Sequence, residues 1–281
     1  MTTDTHHRLE ERARAWGVTV GHIVETDSSL LAFGYRGSES VALKVIKQPG
    51  DEWKSGEVLS AFQGNGVVRA YEYVEGAVLL ERLNPGSSLV AFAVDGRDDE
   101  ATDILADVVG RMRGCEPPKN CATVQEWAKG FELYAATGDS QIPMHLVDEG
   151  RRWYLDLCVS QREPHLLHGD LHHYNVLFDS GRGWLAIDPK GVVGETEYEI
   201  GAALRNPFEA PDLFTSPLCL QKRLERFSER LNLDFNRVVA WAFAQAVLSA
   251  IWEIEDGSSI GSTNPALRLA YSIQPMLNAR R

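Results

Sequence analysis

HGDLHHYNVLF, residues 168–178, followed shortly by WLAIDPKG, residues 184–191, is the stretch from which the rest of the chain is read. Asp170 is followed five positions later by Asn175, and Asp188 sits near the end of the second segment. The apolar runs 176–178 and 184–187 predict two short strands, so the three polar side chains stand on one loop and one strand end. Phosphoryl transfer needs these residue types together. An acceptor hydroxyl requires a carboxylate that orients it and takes its proton, which fits Asp170. Phosphates require a hard cation held by oxygen ligands, which fits Asn175 and Asp188 with Mg²⁺. HGD alone carries little, and an Asp-Pro at a strand end is commonly a turn; the ordered set of His, Asp, Asn and a second Asp carries the reading. His172 and His173 lack further ligands at zinc spacing and read as packing residues. Lys190 suits phosphate neutralisation or a plain surface position equally well.

Working outward, the N-terminal segment predicts a short helix ending at Gly17, then strands at 18–25, 30–35 and 41–46, a helix at 51–62, and strands at 67–74 and 77–83. VALKV, residues 41–45, alternates like a strand and places Lys44 where kinases carry a phosphate-binding lysine. Its carboxylate partner is expected from the following helix: Glu52 shares a face with Gly56 and Leu59, whereas Glu57 is rotated away, so Glu52 is preferred. No glycine-rich phosphate loop is present. Ser28 and Ser29 occupy the first turn, either as phosphate-facing donors or as an ordinary hydrophilic hairpin. LLERL, residues 79–83, ends the β-rich part, where the Glu81 carbonyl and Leu83 amide would meet a nucleotide base. From residue 84 onward the periodicity is mainly helical. The expected architecture is α+β and bilobal, with a nucleotide-binding lobe at 1–83 and a catalytic and acceptor-binding lobe at 84–281.

The composition agrees with a folded chain of this kind: 281 residues, 44% hydrophobic and 24% charged. Forty acidic residues against 28 basic ones give a formal charge of −12, which disfavours nucleic acid and leaves a cationic ligand open. Four cysteines without a CxxC pair read as reduced thiols of a cytoplasmic protein. No export signal is read at the N-terminus, and AWAFAQAVLSAIW, residues 240–252, is short for a bilayer span and reads as a core helix, so no membrane association is expected. Oligomeric state is not encoded in any pattern found.

The chain resembles the aminoglycoside and hydroxyurea antibiotic-resistance kinases, especially streptomycin 6-phosphotransferases. The resemblance rests on Ser28-Ser29-Leu30, Ala42-Leu43-Lys44, Gly66-Val67-Val68-Arg69, LLERL, HGDLHHYNVL, WLAIDPKG with Val193-Gly194-Glu195, and WEIEDG at 252–257. It implies a eukaryotic-kinase-like fold, ATP with Mg²⁺ as donor, Asp170 as base, Asn175 and Asp188 as metal ligands, and a small hydroxylated acceptor, often an antibiotic. The leading expectation is phosphorylation of a cationic antibiotic such as streptomycin; hydroxyurea, a sugar or an amino alcohol is the alternative. A nucleotide-binding module without turnover would be expected to lack one of Lys44, Asp170, Asn175 or Asp188, and all four are present. For the acceptor, Gln245, Ser249, Glu253 and Asp256 form a polar stripe beside Trp252, facing either a guanidinium-bearing ligand or solvent. Glu195 and Glu197, in an acidic run with Glu199, read either as a second acceptor-binding cluster or as a solvated loop.

Overall fold

Residues 41–46 set the first layer of the structure. Val41, Leu43 and Val45 point to one face of their strand and Ala42 and Lys44 to the other, and all five are buried. A strand buried on both faces belongs at the centre of a sheet. The computed structural model describes residues 2–278. Helix α1 (Thr2–Ala15) precedes β1 (Val18–Glu25), β2 (Ser29–Arg36), β3 (Glu39–Ile46), a 3₁₀ turn at 51–54, α2 (Ser55–Phe62), β4 (Ala70–Val74) and β5 (Ala77–Glu81). The five strands form one antiparallel sheet in the order β1-β2-β3-β5-β4. Leu9 and Ala13 of α1 cover its outer face together with Leu30, Leu43, Val45 and Leu79. Its inner face carries Ala42, Val78 and Leu80 into the larger core, where Val58, Leu59 and Phe62 of α2 join them.

Two expectations for this region are corrected. The single helix at 51–62 is split, because the Trp53 carbonyl accepts from the Gly76 amide at 2.8 Å and is thereby committed to the β4–β5 turn. The strand expected from residue 67 begins at Ala70 instead; Val67 bridges to Ala186 and the Val68 amide donates to the Ala186 carbonyl, fastening the sheet region to the catalytic hairpin.

Beyond Glu81 the chain enters β6 (Pro85–Ser88), then the helices α3 (Val90–Val94), α4 (Asp98–Met112), α5 (Val124–Trp127), α6 (Lys129–Thr137) and α7 (Met144–Val159). The segment that carries Asp170, Asn175 and Asp188 follows with β7 (His165–Leu167), β8 (Val176–Asp179), β9 (Gly183–Ala186) and β10 (Val192–Gly194), before α8 (Thr196–Leu204), α9 (Asp212–Thr215), α10 (Pro217–Leu231), α11 (Phe235–Glu255) and α12 (Pro265–Asn278). β6, β8 and β9 form a three-stranded sheet, and β7 pairs with β10. The fold is bilobal and protein-kinase-like. Of the described helices, α11 alone is long and apolar enough to cross a membrane, and it is a core element packed against α7, α8 and α12.

One close approach makes the N-terminal sheet sensitive to a single methyl group. A Cβ built on Gly34 would lie 2.1 Å from the Thr19 carbonyl oxygen, which is backbone and has no rotamer in which to retreat. Gly34→Ala is therefore expected to cost about 1–3 kcal/mol or more through displacement of β1. A thermal melt checks this; an unchanged Tm would show that β1 shifts freely.

Candidate active site

The alternation that buries Leu43 and Val45 outward turns Lys44 inward. Its ammonium lies 2.8 Å from Glu52 Oε2 and 2.8 Å from Asp188 Oδ1. Burial works against the lysine's charge, but Asp188 and Glu52 overcome it and hold its pKa above the ordinary value. Glu52 is thus the carboxylate that meets Lys44, although it stands on the 3₁₀ turn and not on α2. Asp188 adopts a left-handed backbone at φ 55°, a conformation uncommon for non-glycine residues and frequent at functional turns. The neighbouring Gly191 has φ 78°, and a Cβ there would meet Val58 at 2.5 Å, so the turn after Asp188 closes tightly on α2.

The loop 168–175 is held by its own backbone and by α8. His168 is fully buried; its Nε2 donates to the Ile187 carbonyl at 2.8 Å and its Nδ1 accepts from the Asp170 amide at 3.3 Å. Burial lowers its pKa, so the neutral ring makes both bonds. Asn175 donates through Nδ2 to the Asp170 carbonyl at 3.0 Å, and its own carbonyl accepts from the Ile187 amide at 2.9 Å. The second bond ties the Asn175 position to the residue preceding Asp188. An amide oxygen from Asn175 and a carboxylate from Asp188 form an all-oxygen pair suited to Mg²⁺ once phosphate oxygens complete its shell. Among the described residues no cluster of three or more His, Cys, Asp or Glu is arranged for a metal. Burial pushes the pKa of His172 down to about 4, so this imidazole is neutral, in keeping with a packing role.

Asp170 projects from this loop with its side chain 23% exposed. Two cations approach it, Lys190 Nζ at 3.7 Å from Oδ2 and Arg205 at 3.4 Å from Oδ1, and His172 Nε2 lies 3.9 Å from Oδ2. Burial alone would raise its pKa; Lys190, His172 and Arg205 reverse that and hold the carboxyl below its usual range.

A cleft of about 540 Å³ opens between the lobes in front of Lys44 and Asp188. Ser28, Ser29, Glu81 and Leu83 line it, with Phe33, Ala42, Val68, Leu80, Leu177 and Ile187 as the apolar walls. A planar base fits such walls, and phosphates fit its lysine end. Ser29 is buried and its hydroxyl pairs with Thr26 Oγ1 at 2.9 Å, while Ser28 is exposed, so Thr26 shapes this turn, a role the sequence did not reveal. The Glu81 side chain turns away to the Arg69 amide at 2.7 Å and to Arg182.

The acceptor-side expectations divide. Trp252 lies 5.8 Å beneath Lys190 and packs edge-on against Trp127 at 5.4 Å. Glu253 accepts from Asn264 Nδ2 at 2.6 Å and feels Arg205; burial raises its pKa. Ser249 is buried and Asp256 is exposed at the helix end, so the expected stripe runs from the core out to solvent. Glu195 and Glu197 are corrected on one count: both are buried, so neither belongs to a solvated loop. Glu195 is 2% exposed, and its Oε1 is consumed by Arg237 at 2.5 Å and Trp241 Nε1 at 2.5 Å. Three desolvated donors fix it as a brace between the start of α8 and α11. Glu197 is buried beside a separate cavity lined by Arg113, His165 and Asp234. Glu199, from the same run, is the one that serves the catalytic loop: its carboxylate accepts the His168 amide at 2.6 Å and the Gly169 amide at 3.1 Å.

Comparison with known proteins agrees with this geometry. The family model of aminoglycoside/hydroxyurea antibiotic resistance kinases matches residues 15–257. The chain is 34% identical to a streptomycin 3''-kinase of Klebsiella pneumoniae over 242 residues, 84% of this chain and 88% of that protein. It is 31% identical to a hydroxyurea phosphotransferase of Kitasatospora aureofaciens, over 89% of this chain and 73% of that protein. It is 30% identical to a streptomycin 6-kinase of Streptomyces griseus, over 84% of this chain and 78% of that protein. In fold it matches a ternary complex of a thermostable aminoglycoside phosphotransferase mutant with ADP and hygromycin B, with TM-score 0.66 and 15% identity over 97% of this chain and 98% of that one. The choline kinase LicA of Streptococcus pneumoniae superposes with TM-score 0.63 at 15% identity, over 97% of this chain and 98% of that one. With the family model spanning most of the chain and relatives above 30% identity along it, the protein belongs to the aminoglycoside/hydroxyurea antibiotic resistance kinases and is a phosphotransferase.

Proposed function

We propose that the protein transfers the γ-phosphoryl group of ATP to a hydroxyl of a small cationic antibiotic, with streptomycin as the preferred acceptor, in the cytoplasm. Residues 1–83 form the nucleotide lobe and 84–281 the catalytic and acceptor lobe. The observation that carries this reading is the meeting of Lys44, Glu52 and Asp188 at one end of the interlobe cleft, with Asp170 tied through the same loop.

Lys44 places a fixed positive charge against the α- and β-phosphates, kept straight by Glu52. Ser28 and Ser29 cover the phosphates, and the Glu81 carbonyl and Leu83 amide take the base. Asn175 and Asp188 hold Mg²⁺, which when bound neutralises charge on the phosphates. Asp170 orients the acceptor hydroxyl and receives its proton as the oxygen–phosphorus bond forms and the bond to ADP breaks. Positioning and electrostatics supply most of the acceleration in such a transfer.

The streptomycin preference rests on Trp252 and Glu253, which bring an aromatic face and a carboxylate to the Asp170 side, and on the streptomycin kinases among the relatives. Guanidinium groups pair with carboxylates and stack on indoles. Asp256 and Ser249 extend the same wall. A second reading, hydroxyurea as acceptor, is favoured by the 31% identity to a hydroxyurea phosphotransferase. The test is a panel of streptomycin, other aminocyclitols, hydroxyurea and amino alcohols with ATP and Mg²⁺, read by mass spectrometry for an added phosphoryl group. Phosphorylated streptomycin is expected. Transfer to hydroxyurea alone would replace it as acceptor, and transfer to none would overturn the reading.

A further inference from the structure

Arg205 is the only Lys or Arg between Lys190 and Lys222, and it stands at the end of a helix buried along its whole length. Its side chain is 12% exposed. NH2 points to Asp170 Oδ1 at 3.4 Å, while NH1 donates to Gln245 Oε1 at 3.2 Å. Gln245 reaches it from α11 by lying directly across Gly201: a Cβ on that glycine would fall 1.8 Å from Gln245 Oε1. Gln245 is itself buried and donates through Nε2 to the Tyr198 carbonyl at 3.4 Å. The backbone just beyond Arg205 is also fixed. Arg223, buried and paired with Asp98 at 2.5 Å, donates to the Asn206 carbonyl at 2.9 Å, and Asn206 Nδ2 returns to the Ala202 carbonyl at 2.9 Å.

These contacts make a directed chain from α11 through α8 to the catalytic loop. Gln245 is buried and Arg205 largely so, and a guanidinium withdrawn from water without its partners is disfavoured. The two oxygens of Asp170 are consequently unlike. Oδ1 faces Arg205, whereas Oδ2 faces Lys190 and His172 at 3.7 and 3.9 Å, beyond hydrogen-bond length. A carboxylate gripped at one oxygen presents the other in a fixed direction.

We propose that Arg205 is a positioning residue for phosphoryl transfer, holding Asp170 Oδ1 so that Oδ2 meets the acceptor hydroxyl, and that Gln245, passing over Gly201, sets Arg205 in place. This rests on Asp170 being the base. Arg205 is not among the residues that line the interlobe cleft, so its removal is expected to act on turnover and not on ATP binding. Reactive geometry is steep enough for the loss to be large, since a displacement of an ångström can cost about 10²-fold.

The experiment is a double-mutant cycle between Arg205→Met and Asp170→Asn in the full chain, with streptomycin as acceptor. ATP hydrolysis without acceptor reads the same cycle if streptomycin is not phosphorylated, which separates a wrong acceptor from a wrong role for Arg205. Arg205→Met is expected to lower kcat roughly 10- to 100-fold with KM for ATP within about twofold. Arg205→Lys, which keeps the charge but not the planar fork, should fall between. In the Asp170→Asn background the further loss should be under about twofold. A merely structural role would produce the same loss in both backgrounds. Gln245→Leu is expected to lower kcat by roughly 3- to 10-fold with the same coupling, and it carries the test if Arg205→Met does not fold. Parental kcat in the variants, or equal losses in the two backgrounds, overturns the proposal for Arg205. Parental kcat in Asp170→Asn alone would instead overturn the assignment of the base on which it rests.

Discussion

Asp170→Asn is expected to lower kcat by roughly 10²- to 10⁴-fold while leaving the affinity for ATP within about twofold, the range that loss of a general base produces. The separation of the two effects follows from the layout. The cleft in front of Lys44 is lined by residues of the sheet, the connecting segment and the hairpin at 176–188, and Asp170 is not among them. The substitution is nearly isosteric and keeps a side-chain oxygen for Arg205. It removes the charge that Lys190 and Arg205 face, so two cations lose an anionic neighbour at 3.7 and 3.4 Å. That electrostatic loss is felt on the acceptor side. ATP affinity read by isothermal titration and turnover read by product mass test both halves. Turnover within about twofold of the parent would remove Asp170 from the proton-accepting role. An affinity for ATP that fell in step with kcat would place it in the nucleotide site instead.

The parts legible in the sequence are those encoded by local spacing. Lys44 and its strand followed from alternation, because period 2 leaves no choice of face once Leu43 and Val45 are committed to the outer side. Glu52 meets Lys44, although the helical face from which it is expected is a 3₁₀ turn. Asp170, Asn175 and Asp188 lie within 19 residues on a loop and a hairpin, so their proximity was imposed by short connections. The parts that escaped depend on helices meeting across long separations. Arg205 and Gln245 come together only because α8 and α11 pack on one another. A lone cation in the stretch between Lys190 and Lys222 is a usable signal for Arg205. The acidic run was misread for a specific reason. Glu195, Glu197 and Glu199 alternate as an extended, solvated segment would, but in the structure Glu195 precedes α8 while Glu197 and Glu199 lie within it, and they face different surroundings. Polarity alone does not reveal that a carboxylate will be met by buried donors.

Glu199 supplies the second large expected effect, because it joins folding to the catalytic loop through a buried titratable group. Its carboxylate gathers the backbone amides of His168 and Gly169 and lies within the influence of the Leu171 amide and the Asp170 charge. Burial pushes its pKa up to about 7, against the pull of those amides. An open chain ionises such a group near about 4.3, so the fold binds the proton more tightly, and stability is lost as pH rises from that value through the folded pKa. The loss over this window is about 3 kcal/mol, or roughly 6–12 °C in Tm for a chain of this size. Glu199→Gln cannot ionise and should lack this part of the pH dependence, so it gains on the parent by that amount between pH 4.5 and about 8. Paired thermal melts across this range test the sign as well as the size. Parallel curves for parent and variant would mean that Glu199 titrates in the fold as it does in the open chain. Glu199→Leu has the opposite character: it leaves the loop amides buried without an acceptor, at about 1–3 kcal/mol for each. Turnover should fall with stability there, since the same amides fix the backbone from which Asp170 projects. In Glu199→Gln the amide oxygen still receives them, so kcat near neutral pH should stay closer to the parent than in Glu199→Leu.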